Sequence, residues 1–231
     1  MTDTQQIALV TGASRGIGAA TALALARAGH HVILAGRDEK ALTAVETGIH
    51  DASGTATIAP FDLKDSDAID RLAAAIGARW GRLDVLVLNA GQLGTLAPLP
   101  HIDPKEWDSV IATNLTANWR LIRAFDPWMR RSDAADIVAL TSTVGSVPRA
   151  YWGAYAVSKA ALESMVAVYG AEVAAITAIR THVVNPGATR TAMRARAYPG
   201  ENPAEVKPPE DVAAMVITAL SQPRRLGHDS A

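Results

Sequence analysis

The chain has 231 residues, 49% of them hydrophobic and 19% charged, with a formal net charge of −1 at pH 7. Such a balance offers no bulk attraction for nucleic acid or an anionic membrane, so neither is expected as a partner. With no cysteine in the chain, disulfides, zinc–thiolate centres and thiol catalysis are excluded.

The N-terminal MTDTQQIALV is polar and then strand-like, without the basic and apolar regions of a signal peptide. No apolar run approaches the length of a membrane span, and a cytoplasmic protein is expected. IALVTG (7–12) reads as a buried strand, residues 17–29 as a helix closed by Gly29, and HVILAGR (31–37) as the next strand. His30 and His31 adjoin at this turn, where a solvated turn is favoured over metal binding; no metal site is expected. Residues 38–50 read as a helix, 55–62 as a strand and 66–81 as a helix. LDVLVLNAG (83–91) is apolar almost throughout, as a strand covered on both faces should be. Residues 103–131 read as one long helix, with Asp103 as N-cap, Pro104 at the first helical position and Glu106 three residues on. Pro127 is expected to bend or break it. A strand at 136–142, a helix at 152–170, a strand at 180–188 and a short helix at 210–221 complete the series.

Strands and helices alternating in this way specify βαβ units. The expected fold class is α/β, a doubly wound parallel sheet of about six strands with helices on both faces. No linker or repeat interrupts the chain, so one domain over residues 1–231 is expected.

Between the first strand and helix lies TGASRGIG (11–18), the context that a dinucleotide-binding turn requires. Gly12 permits the tight turn, Gly16 a close approach of backbone to a pyrophosphate, and Gly18 close packing; the helix N-terminus supplies free N–H groups. The spacing is G-x3-G-x-G rather than G-x-G-x-x-G. At the end of the second strand stand Gly36 and Arg37. An acidic residue here would accept hydrogen bonds from ribose hydroxyls, whereas a guanidinium suits the extra phosphate of NADP. Arg37, with Arg15 in the loop, favours NADP(H) over NAD(H). Asp38 is the rival ribose acceptor, or simply the N-cap of the following helix.

Together, TGASRGIG, Asp62 in PFDLKD, NAG at 89–91, Asn114 in ATNLTAN, Ser142, YAVSK at 155–159 and NPGATRT at 185–191 resemble the short-chain dehydrogenase/reductase family. The resemblance runs from Ile7 to about residue 220. It implies a Rossmann-type sheet, strand order 3-2-1-4-5-6, with the cofactor across the C-terminal strand ends. It also implies a cofactor site made of Gly12, Ser14, Arg15, Gly16, Ile17, Gly18 and Arg37, of Asp62 and Leu63 at the adenine, and of Asn89, Ala90 and Gly91 near the adenosine ribose. Pro186, Gly187, Thr189 and Thr191 would serve the nicotinamide end, and Tyr155 and Lys159 would border the cofactor as well. A homodimer or homotetramer is implied, although the polar end PRRLGHDSA lacks the further apolar strand that family members usually add. Residues 192–209 would form the substrate lid, with Arg190, Arg194 and Arg196 favouring an anionic substrate or merely facing solvent.

A spacing of four places Tyr155 and Lys159 on one helix face, one turn apart. A phenol with a pKa of about 10 is a poor base at neutral pH, and a nearby ammonium would lower that value. Ser142 ends the preceding strand, where its hydroxyl can hold a substrate carbonyl oxygen; alternation sends Thr141 and Thr143 to the other side. In the resembled family the residue at Asn114 holds a water that links Lys159 to solvent. Asn114, Ser142, Tyr155 and Lys159 are thus the expected catalytic set, and Tyr151 and Trp152 the expected pocket wall or subunit contact. The expected activity is NADP(H)-dependent interconversion of a carbonyl and a secondary alcohol. The alternatives are an NADP(H)-binding sensor or scaffold without turnover, and an epimerase-like relative, for which the C-terminal region leaves little room.

Overall fold

Five consecutive residues, IALVT, form strand β1 (Ile7–Thr11), and all five are buried. A strand with no polar face needs cover on both sides. In the computed structural model, which describes residues 5–223, β1 lies at the centre of a six-stranded sheet. Its companions are β2 (His31–Gly36), β3 (Thr55–Pro60), β4 (Val85–Leu88), β5 (Asp136–Leu140) and β6 (Arg180–Val184). Their order is β3-β2-β1-β4-β5-β6, and every pairing is parallel. The edge strands β3 and β6 are only partly buried, whereas β1, β2, β4 and β5 are buried along their whole length.

Helices cover both faces. Alternate residues of β1 divide between two cores: Ile7 and Leu9 face one, Ala8 and Val10 the other. The first core takes residues from α3 (Ser66–Trp80), α5 (Ala117–Met129) and α7 (Gly153–Val173), with Phe125 fully buried in it. Residues from α1 (Gly16–Arg27), α2 (Glu39–Asp51) and α9 (Pro209–Leu220) fill the second. Asp38 and Asp65 cap α2 and α3, accepting hydrogen bonds from Ala41 and Ala68 N–H. The rival reading of Asp38 as a cap is therefore the one realised.

The expected long helix over 103–131 differs in one respect. Helix α4 (Pro104–Ile111) and α5 are continuous through a π-helical turn at Ala112–Thr116, and the irregularity lies there rather than at Pro127. Pro127 sits two residues before the end of α5 and does not end the helix. Asp103 caps α4 as expected, but Glu106 accepts a hydrogen bond from Thr95 Oγ1 at 2.8 Å. The histidine turn also differs. His31 is buried at the start of β2, its ring nitrogens 3.0 Å from the hydroxyls of Thr55 and Thr57. The polar end lacking a further strand concerns residues 224–231, which lie outside the described residues.

The strand order reverses between β1 and β4, so their connections leave in opposite directions and open a crevice at the C-terminal strand ends. Most of the expected site residues gather there. The core beneath it is unforgiving: Phe125→Ala should lower the unfolding free energy by about 3–5 kcal/mol, read from urea denaturation followed by circular dichroism.

Candidate active site

The cleft at the strand ends has a volume of about 970 Å³. Among the expected positions, all but Asn114, Ser142, Gly187 and Thr189 border it. The floor is built by the glycine loop. Gly12 and Gly16 have φ of +64° and +58°, the left-handed region that glycine tolerates without a Cβ penalty. At Gly18 a Cβ would lie 2.2 Å from the Gly12 carbonyl oxygen and 2.5 Å from Asn89 Nδ2, so no larger residue fits. Asn89 ties this loop to the end of β4: its Nδ2 donates to the carbonyls of Thr11 (2.8 Å) and Gly12 (3.2 Å). The Thr11 hydroxyl, which donates to Val87 O, accepts from the N–H groups of Asn89 and Ala90.

Whether a dinucleotide phosphate suits this floor can be judged from the free donors. Helix α1 begins at the loop with no side-chain cap and no acidic residue in its first turn. Its N-terminal N–H groups and the positive end of its dipole are therefore available to an anion. Arg15 and Arg37 stand at the same end of the cleft, and no carboxylate of the Asp38 kind competes, since that side chain is engaged in its cap. Asp62 Oδ1 accepts from the Lys64 N–H at 3.0 Å, which fixes the turn after β3 beside Leu63. The residues present fit a dinucleotide carrying an additional phosphate.

At the other end, β5 stops at Leu140 and the chain continues extended through Ser142 (φ −160°, ψ 151°) into the short helix α6 (Thr143–Ser146). The three side chains take different partners. The Thr141 hydroxyl donates to Glu163, and the Thr143 hydroxyl accepts from Asn185 Nδ2 at 3.1 Å. Ser142 is left to hydrogen bond with the Tyr155 phenol. Tyr155 and Lys159 lie on the first two turns of α7, both buried. Lys159 Nζ donates to the Leu140 carbonyl at 2.7 Å and lies 5.8 Å from the centre of the Tyr155 ring.

The direction of the Tyr155 shift is opposite to the expected one. Burial pushes the phenol up to about 12, and the hydrogen bond with Ser142 offsets only part of this. Burial also pulls Lys159 down to about 8, while Glu163 acts in the raising direction. Desolvation therefore dominates both groups, and the ammonium is aimed at a backbone carbonyl rather than at the phenol oxygen.

Asn114 sits in the π-helical turn, fully buried. Its Oδ1 accepts from Gln92 N–H at 2.7 Å, and its Nδ2 donates to Gln92 O and Ser158 Oγ, each at 2.9 Å. Ser158 in turn donates to the Tyr155 carbonyl at 2.7 Å. Asn114 thus joins the turn after β4 to the helix that carries Tyr155. The Asn114 carbonyl accepts from Asn118 Nδ2 at 2.7 Å. Gln92, Leu93 and Met193 also border the cleft and were not singled out from the sequence. Only Gln92 carried a local signal, since it follows directly on Asn89–Gly91.

Within residues 192–209, Ala192–Ala197 form helix α8, capped by the Thr191 hydroxyl. Of its arginines, Arg194 is committed to Glu201 and stacks 3.6 Å from the centre of the Tyr198 ring, whereas Arg190 and Arg196 border the cleft. Trp152 packs between Tyr155 and Tyr198, 5.9 Å from each ring centre. Tyr151 is exposed, in a left-handed conformation (φ +72°). Pro186 borders the cleft, while the Thr189 hydroxyl turns back to the Pro186 carbonyl at 3.0 Å.

The comparisons with known proteins converge. Residues 6–202 match the family described as short chain dehydrogenase. The uncharacterised oxidoreductase YciK of Escherichia coli K12 is 39% identical over 223 residues, which cover 95% of this chain and 88% of that protein. A short-chain dehydrogenase of Shigella flexneri 2a, solved in complex with NADP, superposes with a TM-score of 0.88 at 39% identity, covering 94% of this chain and 91% of that one. One from Escherichia coli CFT073, solved with NADPH, gives the same TM-score of 0.88 and identity of 39%, with 94% and 91% covered. With a family match over most of its length and relatives 39% identical across nearly all of it, this chain belongs to the short-chain dehydrogenase family.

Proposed function

We propose that this oxidoreductase uses NADP(H) to interconvert a carbonyl and a secondary alcohol, with Tyr155 as the acid and base. The observation that carries the reading is a cleft bordered by Tyr155, to which Ser142 is hydrogen bonded, and Lys159, and bordered as well by Arg15, Arg37 and the open N-terminus of α1. The NADP and NADPH bound by the relatives from Shigella flexneri and Escherichia coli support the choice of cofactor. Arg37 and Arg15 would hold the additional phosphate, the loop Ser14–Gly18 the pyrophosphate, and Asp62 and Leu63 the adenine. Pro186, Gly187, Thr189 and Thr191 would hold the nicotinamide end.

When bound, NADP(H) supplies or accepts the hydride and, in its oxidised form, adds a positive charge to the site. The protein's part is proton transfer and orientation. In the reducing direction a phenol held near 12 is fully protonated at neutral pH and donates its proton to the carbonyl oxygen. Ser142 hydrogen bonds the same oxygen and keeps the phenol aligned. Lys159, anchored on Leu140 O, places a buried positive charge behind the Tyr155 ring, where it stabilises the phenolate left after transfer. Asn114 fixes the turn after β4 beside Lys159, the side from which water would return a proton. A cofactor sensor without turnover would retain the floor but have no need of the Ser142–Tyr155 hydrogen bond. Consumption of NADPH in the presence of a panel of carbonyl compounds separates the two readings.

Tyr155→Phe should lower kcat by about 10²–10⁴-fold while the NADPH dissociation constant, read from quenching of tryptophan fluorescence, stays within about threefold of wild type. Normal turnover in that variant would overturn the role of the phenol. Arg37→Ala should weaken NADPH by about 10–100-fold, the loss of one or two charge-assisted hydrogen bonds, and leave NADH nearly unchanged. Equal losses for both cofactors would reverse the assignment of Arg37.

A further inference from the structure

The buried ammonium of Lys159 needs a counter-charge, and the site as described so far contains none. Its one backbone acceptor is Leu140 O. Around it, the turn after β4 presents Gly91, the π-helical turn presents Asn114, α6 presents Gly145, and α7 itself presents Tyr155 and Glu163. Of these, Tyr155 and Glu163 alone titrate, and the phenol is neutral in the resting state. Glu163 stands one helical turn beyond Lys159 on α7, half-buried. Its carboxylate has a defined seat. The Thr141 hydroxyl donates to Oε1, and that hydroxyl belongs to the residue between Leu140, which holds Lys159, and Ser142, which holds Tyr155. Gly145 makes room for the seat: a Cβ there would lie 2.9 Å from Glu163 Oε1 and 3.2 Å from the backbone of Lys159.

We propose that Glu163 is a positioning residue for the reaction: anchored by Thr141, its carboxylate fixes the end of β5 and balances the buried charge of Lys159. The proposal rests on the catalytic reading above and extends it behind the reacting groups. Its electrostatic half has a clear sign. Burial draws the ammonium down to about 8, and Glu163 opposes that shift. Without the negative charge the ammonium would lose its proton at a lower pH, and the site would lose its buried cation within the neutral range. The structural half is carried by Thr141, whose hydroxyl is committed to Glu163 and which shares its backbone with Ser142.

The test does not need a substrate. The chain has five lysines, so a protein labelled with ¹³C at lysine Cε gives a simple spectrum, in which Lys159→Met identifies the Lys159 signal. In the wild type that signal should titrate with a midpoint of about 8. In Glu163→Gln, which keeps an acceptor for Thr141 but removes the charge, the midpoint should fall by about one unit, a tenfold loss of proton affinity. In Glu163→Asp it should stay within about half a unit of wild type. Thr141→Val, which releases the carboxylate toward solvent, should move the midpoint down as well. Should Glu163→Gln fail to fold, Thr141→Val carries the test. An unchanged midpoint in either of these two charge-weakening variants overturns the proposal. With a carbonyl compound that the enzyme reduces, the alkaline limb of kcat should follow the same displacement while KM for NADPH is unmoved. A purely structural Glu163 would instead depress kcat equally at every pH. Failure of every carbonyl compound to be reduced would refute the catalytic reading alone, because the lysine titration is read without turnover.

Discussion

A lysine ammonium with almost no access to water is the constraint around which this site is built. Leaving such a charge without partners would cost several kcal/mol. The protein meets that cost by ending β5 at Leu140, so that the last carbonyl of the strand points at Nζ. The next residue already makes the last tie to β6, through Thr141 N–H and the Val184 carbonyl at 3.0 Å. Ser142 then follows in extended conformation and hydrogen bonds with the Tyr155 phenol. The position of the serine is thus a consequence of where the lysine stops the strand. Glycine at 91 lets the turn after β4 approach the ammonium, where a Cβ would lie 3.7 Å from Nζ, and glycine at 145 lets α6 close on the backbone of Lys159.

A second set of hydrogen bonds makes the two ends of the cleft a single object. Asn89 and Thr11 fasten the glycine loop to the end of β4. Three residues further along, Gln92 exchanges a pair of hydrogen bonds with Asn114, and Asn114 reaches Ser158 on the helix of Tyr155 and Lys159. The floor that would take the phosphates and the groups that would move the proton are therefore linked through short hydrogen bonds that are buried or partly buried. The π-helical turn is the price of that link. It sets the Asn114 side chain toward Gln92 and disturbs the regular ladder, and Asn118 takes up the Asn114 carbonyl one turn later. Such turns recur at functional sites because they aim one side chain without breaking the helix.

Most of the fold was readable because it rests on periodicity. A strand buried on both faces must be apolar throughout, a helix flanking a sheet must be apolar at three-to-four spacing, and both patterns are plain in IALVT, VLVL and SDAIDRLAAAIGARW. The order of the strands and the positions of Ser142, Tyr155 and Lys159 came from motifs whose spacing is set by that fold. What was not legible depends on three-dimensional neighbours. No local signal announces a π-helical turn over ATNLT, because five residues of ordinary helical propensity encode it only through Asn114 and its distant partners Gln92 and Ser158. His31 stood at the start of an expected strand beside a solvated turn, and it is buried there because Thr55 and Thr57 on the adjacent β3 satisfy its ring. Pro127 looked like a helix breaker and falls where the helix is about to end. The Tyr155 shift was misjudged for the same reason. Spacing along a helix reports that an ammonium is near, but only packing reports how dry the phenol is, and dryness wins here.

That dryness is partly made by the segment over the cleft. Tyr155 packs in a small apolar cluster with Leu93 and Val144, and against it lie Trp152 from the start of α7 and Met193 and Ala197 from α8. Helix α8 has six residues and no buried side chain, so its own packing cannot hold it in place. Its position is set instead by polar and ring contacts at its end. Arg194 pairs with Glu201 beneath the Tyr198 ring, the Tyr198 hydroxyl accepts from Arg149, and Trp152 fills the space between the Tyr198 and Tyr155 rings. Burial of the phenol raises its pKa, and α8 supplies part of that burial. The proton affinity of Tyr155 is therefore tied to the seating of α8, by way of Trp152. Movement of α8 away from the cleft would admit water to the ring and bring the phenol back toward its ordinary value, so that the seating of α8 and the proton affinity of Tyr155 form one electrostatic unit.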